Sequence, residues 1–145
     1  MNVDVVTEAI IGRPLSLVAE YAADPGNAPH WYANITRVDW ETPPPVAVGS
    51  RLAFVAKFLG RTLTYTYEIV TFEPHTRMVM RAAEGPFPME TSYAWEAAGE
   101  NATRMTLRNR GKPSGFVGLA APAMALAMRR ANTLDLAALK ALLES

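Results

Sequence analysis

Two histidines, five tyrosines and fourteen carboxylates carry most of the proton chemistry open to this 145-residue chain, which has no cysteine. The missing thiol excludes a cysteine nucleophile, a thiolate metal site and a disulfide scaffold together. His30 and His75 are the only imidazoles, so a histidine-rich metal cluster is excluded too, and neither a metal nor a cofactor is expected. His30 stands between Pro29 and Trp31, beside Tyr32. Imidazole titrates in the range of a general base, yet no acidic partner is near in sequence, and a surface or capping position is the plainer reading. His75 follows Glu73-Pro74 in a turn and is expected in solvent. Glu90 and Glu96 alternate with Thr91, Tyr93 and Trp95, and Glu68 with Tyr67 and Ile69. Successive strand residues face opposite ways, so these carboxylates lie across the sheet from the aromatics, and a glycosidase-type pair is not expected. The sequence has no glycine-rich phosphate loop, no Gly-x-Ser-x-Gly elbow and no His-Glu-x-x-His zinc motif.

The elements that must position these groups belong to one domain, residues 1–145, long enough to bury its own core. Fourteen basic residues balance fourteen acidic ones, which argues against a nucleic-acid partner, since phosphate binding calls for a basic excess. The longest uncharged apolar run, Phe116 to Met128, is too short to span a bilayer. The first residues carry Asp4 and Glu8 without a basic region leading into an apolar run. The expectation is a cytoplasmic domain with no transmembrane segment.

Val3 to Ile11 is rich in β-branched residues and stops at Gly12-Arg13-Pro14. Pro14 followed by Leu15, Leu17, Val18 and Tyr21 has helical spacing, and Asp24-Pro25-Gly26-Asn27 ends it. A second short helical segment carries Pro29 to Tyr32. From Ile35 to about Arg110 the period becomes two. Leu52, Phe54, Ala56 and Phe58 form one apolar set, Leu63, Tyr65, Tyr67 and Ile69 another, then Met89, Thr91, Tyr93 and Trp95, then Met105 and Leu107. Breakers at Pro43-Pro44-Pro45, Gly49, Gly60, Pro74, Gly85-Pro86 and Gly99 separate them. This is an antiparallel meander with one apolar face to be covered.

Ser114 to Leu143 is the segment long enough to cover it, at about 1.5 Å per residue. Its apolar stripe reads Leu119, Ala123, Leu126, Arg130, Leu134, Ala138 and Leu142, with Arg129, Asp135 and Lys140 to the side. Pro122 marks the true helix start or a kink. The expected fold is therefore α+β: a curved antiparallel β-sheet of six to seven strands wrapped around a long C-terminal α-helix, with two short helices after the first strand. Phe116 to Met128 is apolar almost all round, leaving a homodimer surface, a membrane-interface segment, a lid hinged at Gly115 and Gly118, and plain enclosure as readings.

Four segments in this order resemble the START-like, or Bet v 1-like, helix-grip superfamily (SRPBCC). They are Val18 to Asp24-Pro25 and on to Trp31, Val48-Gly49-Ser50-Arg51, Phe72-Glu73-Pro74 with Arg77-Met78, and the ending Leu139-Lys140 with Leu142-Leu143-Glu144. Within the superfamily the chain looks most like the bacterial polyketide cyclase/dehydrase-like group. The resemblance implies a cavity between sheet and long helix that holds a small hydrophobic ligand of lipid, polyketide or isoprenoid type. Trp31, Phe54, Phe58, Tyr65, Tyr67, Tyr93, Trp95 and Met105 would line it, facing small helix residues such as Ala123 and Ala127. Large rings opposite alanines either interdigitate as plain core or leave room.

Two alternatives accompany that function. One is a polyketide cyclase/aromatase-like enzyme. Arg81, four residues before Gly85-Pro86-Phe87, is similar to a cyclase arginine that polarises carbonyls, and a guanidinium in a dry pocket stabilises a developing enolate. Tyr32, Tyr65 or Tyr93 would assist. Strand parity leaves Arg81 open, because Met78, Met80 and Ala82 form an equally good inward set. The other alternative is a protein-partner domain, which a filled interior would favour.

Overall fold

The computed structural model describes residues 3–58, 60–84, 88–112 and 120–145, without the side chains of Phe58, Ala83 and Glu84. The β-branched opening run forms β1 (Val3–Ile11), and the segment behind Pro14 forms α1 (Leu15–Ala23). A 3-10 turn, Pro25–Asn27, is held by the Asp24 carboxylate, which accepts from the Gly26 N–H at 3.0 Å. After α2 (Ala28–Trp31) come β2 (Ile35–Trp40), β3 (Arg51–Phe58), β4 (Arg61–Glu73), β5 (Arg77–Glu84), β6 (Met89–Ala97), β7 (Thr103–Gly111) and the long helix α3 (Ala121–Glu144). Among the described residues, seven strands form one sheet in the order β1-β7-β6-β5-β4-β3-β2, every neighbour antiparallel.

The helices α1 and α2 carry the chain from one edge of this sheet to the other. Register shifts between Ile35 and Arg37, Thr66 and Tyr67, and Ile69 and Thr71 add local bend and twist, and the sheet curls around α3. Gly49 enters β3 at φ +94°, a conformation other residues seldom take, and its N–H reaches the Ile69 carbonyl at 2.8 Å. Inward-facing residues follow the period of two: Val3, Val5, Thr7 and Ile11 on β1, and Thr103, Met105, Leu107 and Asn109 on β7.

The core gathers at one end of the sheet. Ile11, Leu52, Ile69, Met78, Trp95, Met105 and Leu107 pack there against Val18, Ala19 and Ala22 of α1, Trp31 of α2, and Leu136 and Leu139 of α3. Burying each large side chain contributes about 1.5–3 kcal/mol. Pro122 marks the helix start, lying in the first turn where its missing N–H costs no bond.

The stripe expected to face the sheet is instead the outer one. Leu126 and Leu134 are 71% and 61% exposed, Leu142, Arg130 and Ala138 are also exposed, Leu119 lies outside the described residues, and of this stripe Ala123 alone among the described residues borders the space under the helix. The buried stripe is Ala121, Asn132, Asp135, Leu136 and Leu139. Leucines occupy both faces of α3, and the face that wins includes Asp135 because its carboxylate accepts the Ala33 N–H at 3.1 Å. A carboxylate assigned to the side is thus a tie between α3 and the segment after α2.

Helix α3 also protects the edge strand β1, whose outward carbonyls would otherwise be free to template another strand. Arg129 donates to the Val6 carbonyl at 3.1 Å and Lys140 to the Ile10 carbonyl at 2.7 Å. Glu144 accepts from both the Gly12 N–H and Lys140 at 2.6 Å.

Candidate functional site

At the other end of the same inward face the side chains stop short of the helix. There Ala120, just before α3, and Ala123, Met124, Ala127, Met128 and Ala131 on it line the helix side, and a cavity of about 500 Å³ remains. Its strand wall is Phe54 and Ala56 of β3, Leu63, Tyr65 and Tyr67 of β4, Met80 of β5, Met89, Thr91 and Tyr93 of β6, and Asn109 of β7. Tyr32, Asn34 and Ile35 close the side behind α2. Ala123 and Ala127 are accessible to solvent, so the cavity is open.

Polar groups concentrate on one wall. The Tyr32 and Tyr93 hydroxyls are 2.6 Å apart, and Thr91 Oγ1 donates to Asn109 Oδ1 at 2.8 Å. Ring packing fixes the tyrosines: Trp31 lies 4.1 Å from Tyr32 and 5.9 Å from Tyr93 between ring centroids, and Trp95 backs Tyr93 at 6.0 Å. Burial pushes the Tyr32 phenol well above its ordinary range, and the neighbouring Tyr93 adds to this. Burial likewise raises Tyr93, against the pull of its hydrogen bond with Tyr32. Tyr67 is raised by burial, with the Thr91 hydroxyl acting the other way, and Tyr65 is raised by burial. These phenols remain protonated at neutral pH and act as hydrogen-bonding groups rather than bases. Behind them Asp135 is raised by burial, an effect the Ala33 N–H opposes.

Among the residues read from the sequence, Phe54, Tyr65, Tyr67, Tyr93, Ala123 and Ala127 lie on the cavity wall, as does Tyr32. Trp31, Trp95 and Met105 do not. They face inward, but at the packed end, where α1 and the C-terminal half of α3 cover them. The Phe58 side chain lies outside the described residues. Arg81 is a correction: Met78 and Met80 are the buried residues of β5, and Arg81 between them and Ala82 points outward. Its side chain is 65% exposed, and its Nε donates to Glu90 Oε2 at 3.0 Å. A guanidinium held on the outer face cannot polarise a group inside the cavity.

Sequence reasoning passed over Asn109 and gave Thr91 no role. Each is a polar residue at inward parity between apolar neighbours, which is the signal that finds them. His30 Nδ1 lies 3.1 Å from the Tyr21 hydroxyl, and His75 pairs with Glu20 at 3.4 Å, both away from the cavity. A second groove, about 640 Å³, runs between α1 and Pro44-Pro45-Val46. Its polar rim is already engaged, Glu20 with His75 and Asp24 with Gly26. The described residues contain no group of three metal-ligating side chains and no helix long and apolar enough to cross a membrane. The lid residues Gly115 and Gly118, and the first part of the apolar run from Phe116, lie outside the described set.

A sheet gripping one long helix, with a cavity left between them, is the helix-grip fold. The chain belongs to the family described as polyketide cyclase/dehydrase and lipid transport, whose model matches residues 2–144. Solved structures with this fold include the Zhui aromatase/cyclase from Streptomyces sp. R1128, at 18% identity over 99% of this chain and 94% of that one, with a TM-score of 0.82. TTHA0849 from Thermus thermophilus matches at 19% identity over 94% of each chain, with a TM-score of 0.80. Ginseng major latex-like protein 151 from Panax ginseng matches at 15% over 92% of this chain and 97% of that one, with a TM-score of 0.66. At these identities the likeness is one of fold, and it bears out the helix-grip architecture expected from the sequence, while the family match bears out the resemblance to the polyketide cyclase/dehydrase-like group. A search of curated proteins finds no match.

Proposed function

We propose that this chain holds a small, largely apolar molecule of lipid, polyketide or isoprenoid type in the cavity between the sheet and α3. The observation that carries this reading is the cavity of about 500 Å³, walled by alanine and methionine on the helix and by aromatic residues on the strands. Ligand sites are commonly about 300–1,000 Å³, mainly apolar, with a few placed polar groups. A well-packed interior would have closed this space, so the open volume also weighs against the protein-partner alternative. The test is binding of the neutral fluorophore Nile red to the wild type and to Ala127→Trp, with circular dichroism to confirm the fold. Saturable one-to-one binding that falls at least tenfold in the variant is expected. Equal binding by both proteins, or none by the wild type, would remove the cavity from the function.

A second reading, cyclase/aromatase-like catalysis, draws on the buried Tyr32–Tyr93 pair. Fixed donors in a water-poor site stabilise charge developing on a carbonyl oxygen far better than they do in water. With Arg81 outside, such catalysis would rest on the tyrosines. Turnover of a linear polyketone that Tyr93→Phe abolishes without loss of binding would favour it over carriage.

A further inference from the structure

If the cavity is a ligand site, as proposed above, its wall also selects the ligand's charge. We infer that it takes a neutral molecule with hydrogen-bond-accepting oxygens, such as ketone or ester carbonyls, along one edge, and rejects the carboxylate of an equally apolar acid.

Three observations lead there. First, the polar side chains lining the cavity, Tyr32, Asn34, Tyr65, Tyr67, Thr91, Tyr93 and Asn109, are all uncharged, and they face an alanine and methionine surface on α3. A ligand that satisfies both walls is oxygenated on one edge and hydrocarbon on the other. Second, the internal hydrogen bonds leave protons to give. The Tyr32–Tyr93 contact uses one of two phenolic protons. Thr91 spends its proton on Asn109 Oδ1, which leaves the Asn109 amide nitrogen as a donor. The oxygens that suit such a wall are acceptors.

Third, no cation compensates an anion there. Among the described residues no Lys, Arg or His lines the cavity, and residues 1–2, 59, 85–87 and 113–119 contain none by sequence. Arg37, Arg51, Arg77, Arg81, Arg104, Arg108 and Arg110 are all engaged with carboxylates outside the cavity. The carboxylate whose charge acts on the tyrosine pair is Asp135, buried on α3, and it would repel a second anion. A carboxylate entering this space would lose its hydration with no partner charge in return.

The experiment is displacement of Nile red at pH 8 by 2-undecanone, methyl decanoate, decanoate and undecane, using the wild type, Asn109→Ala and the Tyr32→Phe/Tyr93→Phe double variant. Expected are ketone and ester affinities at least tenfold above that of decanoate, and a several-fold loss of ketone binding in each variant with undecane unchanged. Decanoate binding as tightly as the ketone would overturn the charge selection while leaving the cavity reading intact. Equal losses for ketone and undecane would overturn the donor wall. Failure of Nile red and all four compounds to bind would instead sink the cavity reading, and this inference with it.

Discussion

Replacing Tyr32 and Tyr93 by phenylalanine, singly and together, separates a hydrogen bond that organises the cavity from two rings that merely fill space. The 2.6 Å separation of their oxygens is at the short end for O–H···O contacts. Either single change leaves one hydroxyl among apolar rings, a loss of about 1–3 kcal/mol. The two losses differ in a way that follows from burial. Tyr93 is the more buried of the two, at 3% exposed, so Tyr32→Phe strands the hydroxyl that water reaches less readily, and its cost falls toward the upper limit. Tyr93→Phe leaves the Tyr32 hydroxyl on the cavity wall, where water can replace the lost partner, and costs nearer about 1 kcal/mol. The double variant removes both polar atoms at once and loses no more than the milder single change, because no buried hydroxyl is left unpaired. The expected coupling is therefore about 2–3 kcal/mol. Urea denaturation of the four proteins measures it, and each kcal/mol is also worth roughly 2–4 °C in Tm for a chain of this size. Additivity within about 0.3 kcal/mol would refute the pair as an energetic unit.

Other outcomes follow from the same geometry. Arg81→Ala should leave Nile red binding unchanged and stability within the scatter of surface substitutions, since Glu90 keeps Arg110 at 3.2 Å; loss of binding would return the guanidinium to the site. Asp135→Asn keeps an oxygen for the Ala33 N–H and removes the buried charge. Burial raises the Asp135 carboxyl, so the folded protein holds its proton more tightly than the unfolded chain, and stability falls as pH rises from about 4 through the folded value. Denaturation midpoints of Asp135→Asn should accordingly fall less over that interval than those of the wild type, and parallel profiles would contradict the assignment. Substituting Lys140 and Arg129 together by alanine uncovers the Ile10 and Val6 carbonyls on the edge strand. Sedimentation velocity should then show more self-association than in the wild type, and an unchanged profile would mean the helix is not what guards that edge.

Period-two runs such as Met89-x-Thr91-x-Tyr93-x-Trp95 state which residues share a face, because strand geometry is local. Glycine and proline state where each run ends, for the same local reason. That much made the meander, the covering helix and the superfamily resemblance legible. On β5 the rule was indecisive. Arg81 stands amid Met78, Met80 and Ala82 with apolar residues at both parities, and pairing with β6, which sets Met80 opposite Thr91 and Arg81 opposite Glu90, settled the matter. On α3 the leucines fall on two faces, and the buried one was chosen by a hydrogen bond between Asp135 and Ala33, 102 positions apart in the chain.

What the sequence determined alone is the inward set of those strands whose apolar residues keep to one parity, fixed by backbone alternation, and with it most of the chemistry facing the interior. What only the tertiary structure decided is how far along each strand the covering elements reach. Trp95 and Thr91 share one face of β6, yet one is sealed into the core and the other looks into open space. The difference lies in α1, α2 and the leucine-bearing half of α3, which pack over one end of the sheet, whereas the alanine-bearing half spans the other without filling it.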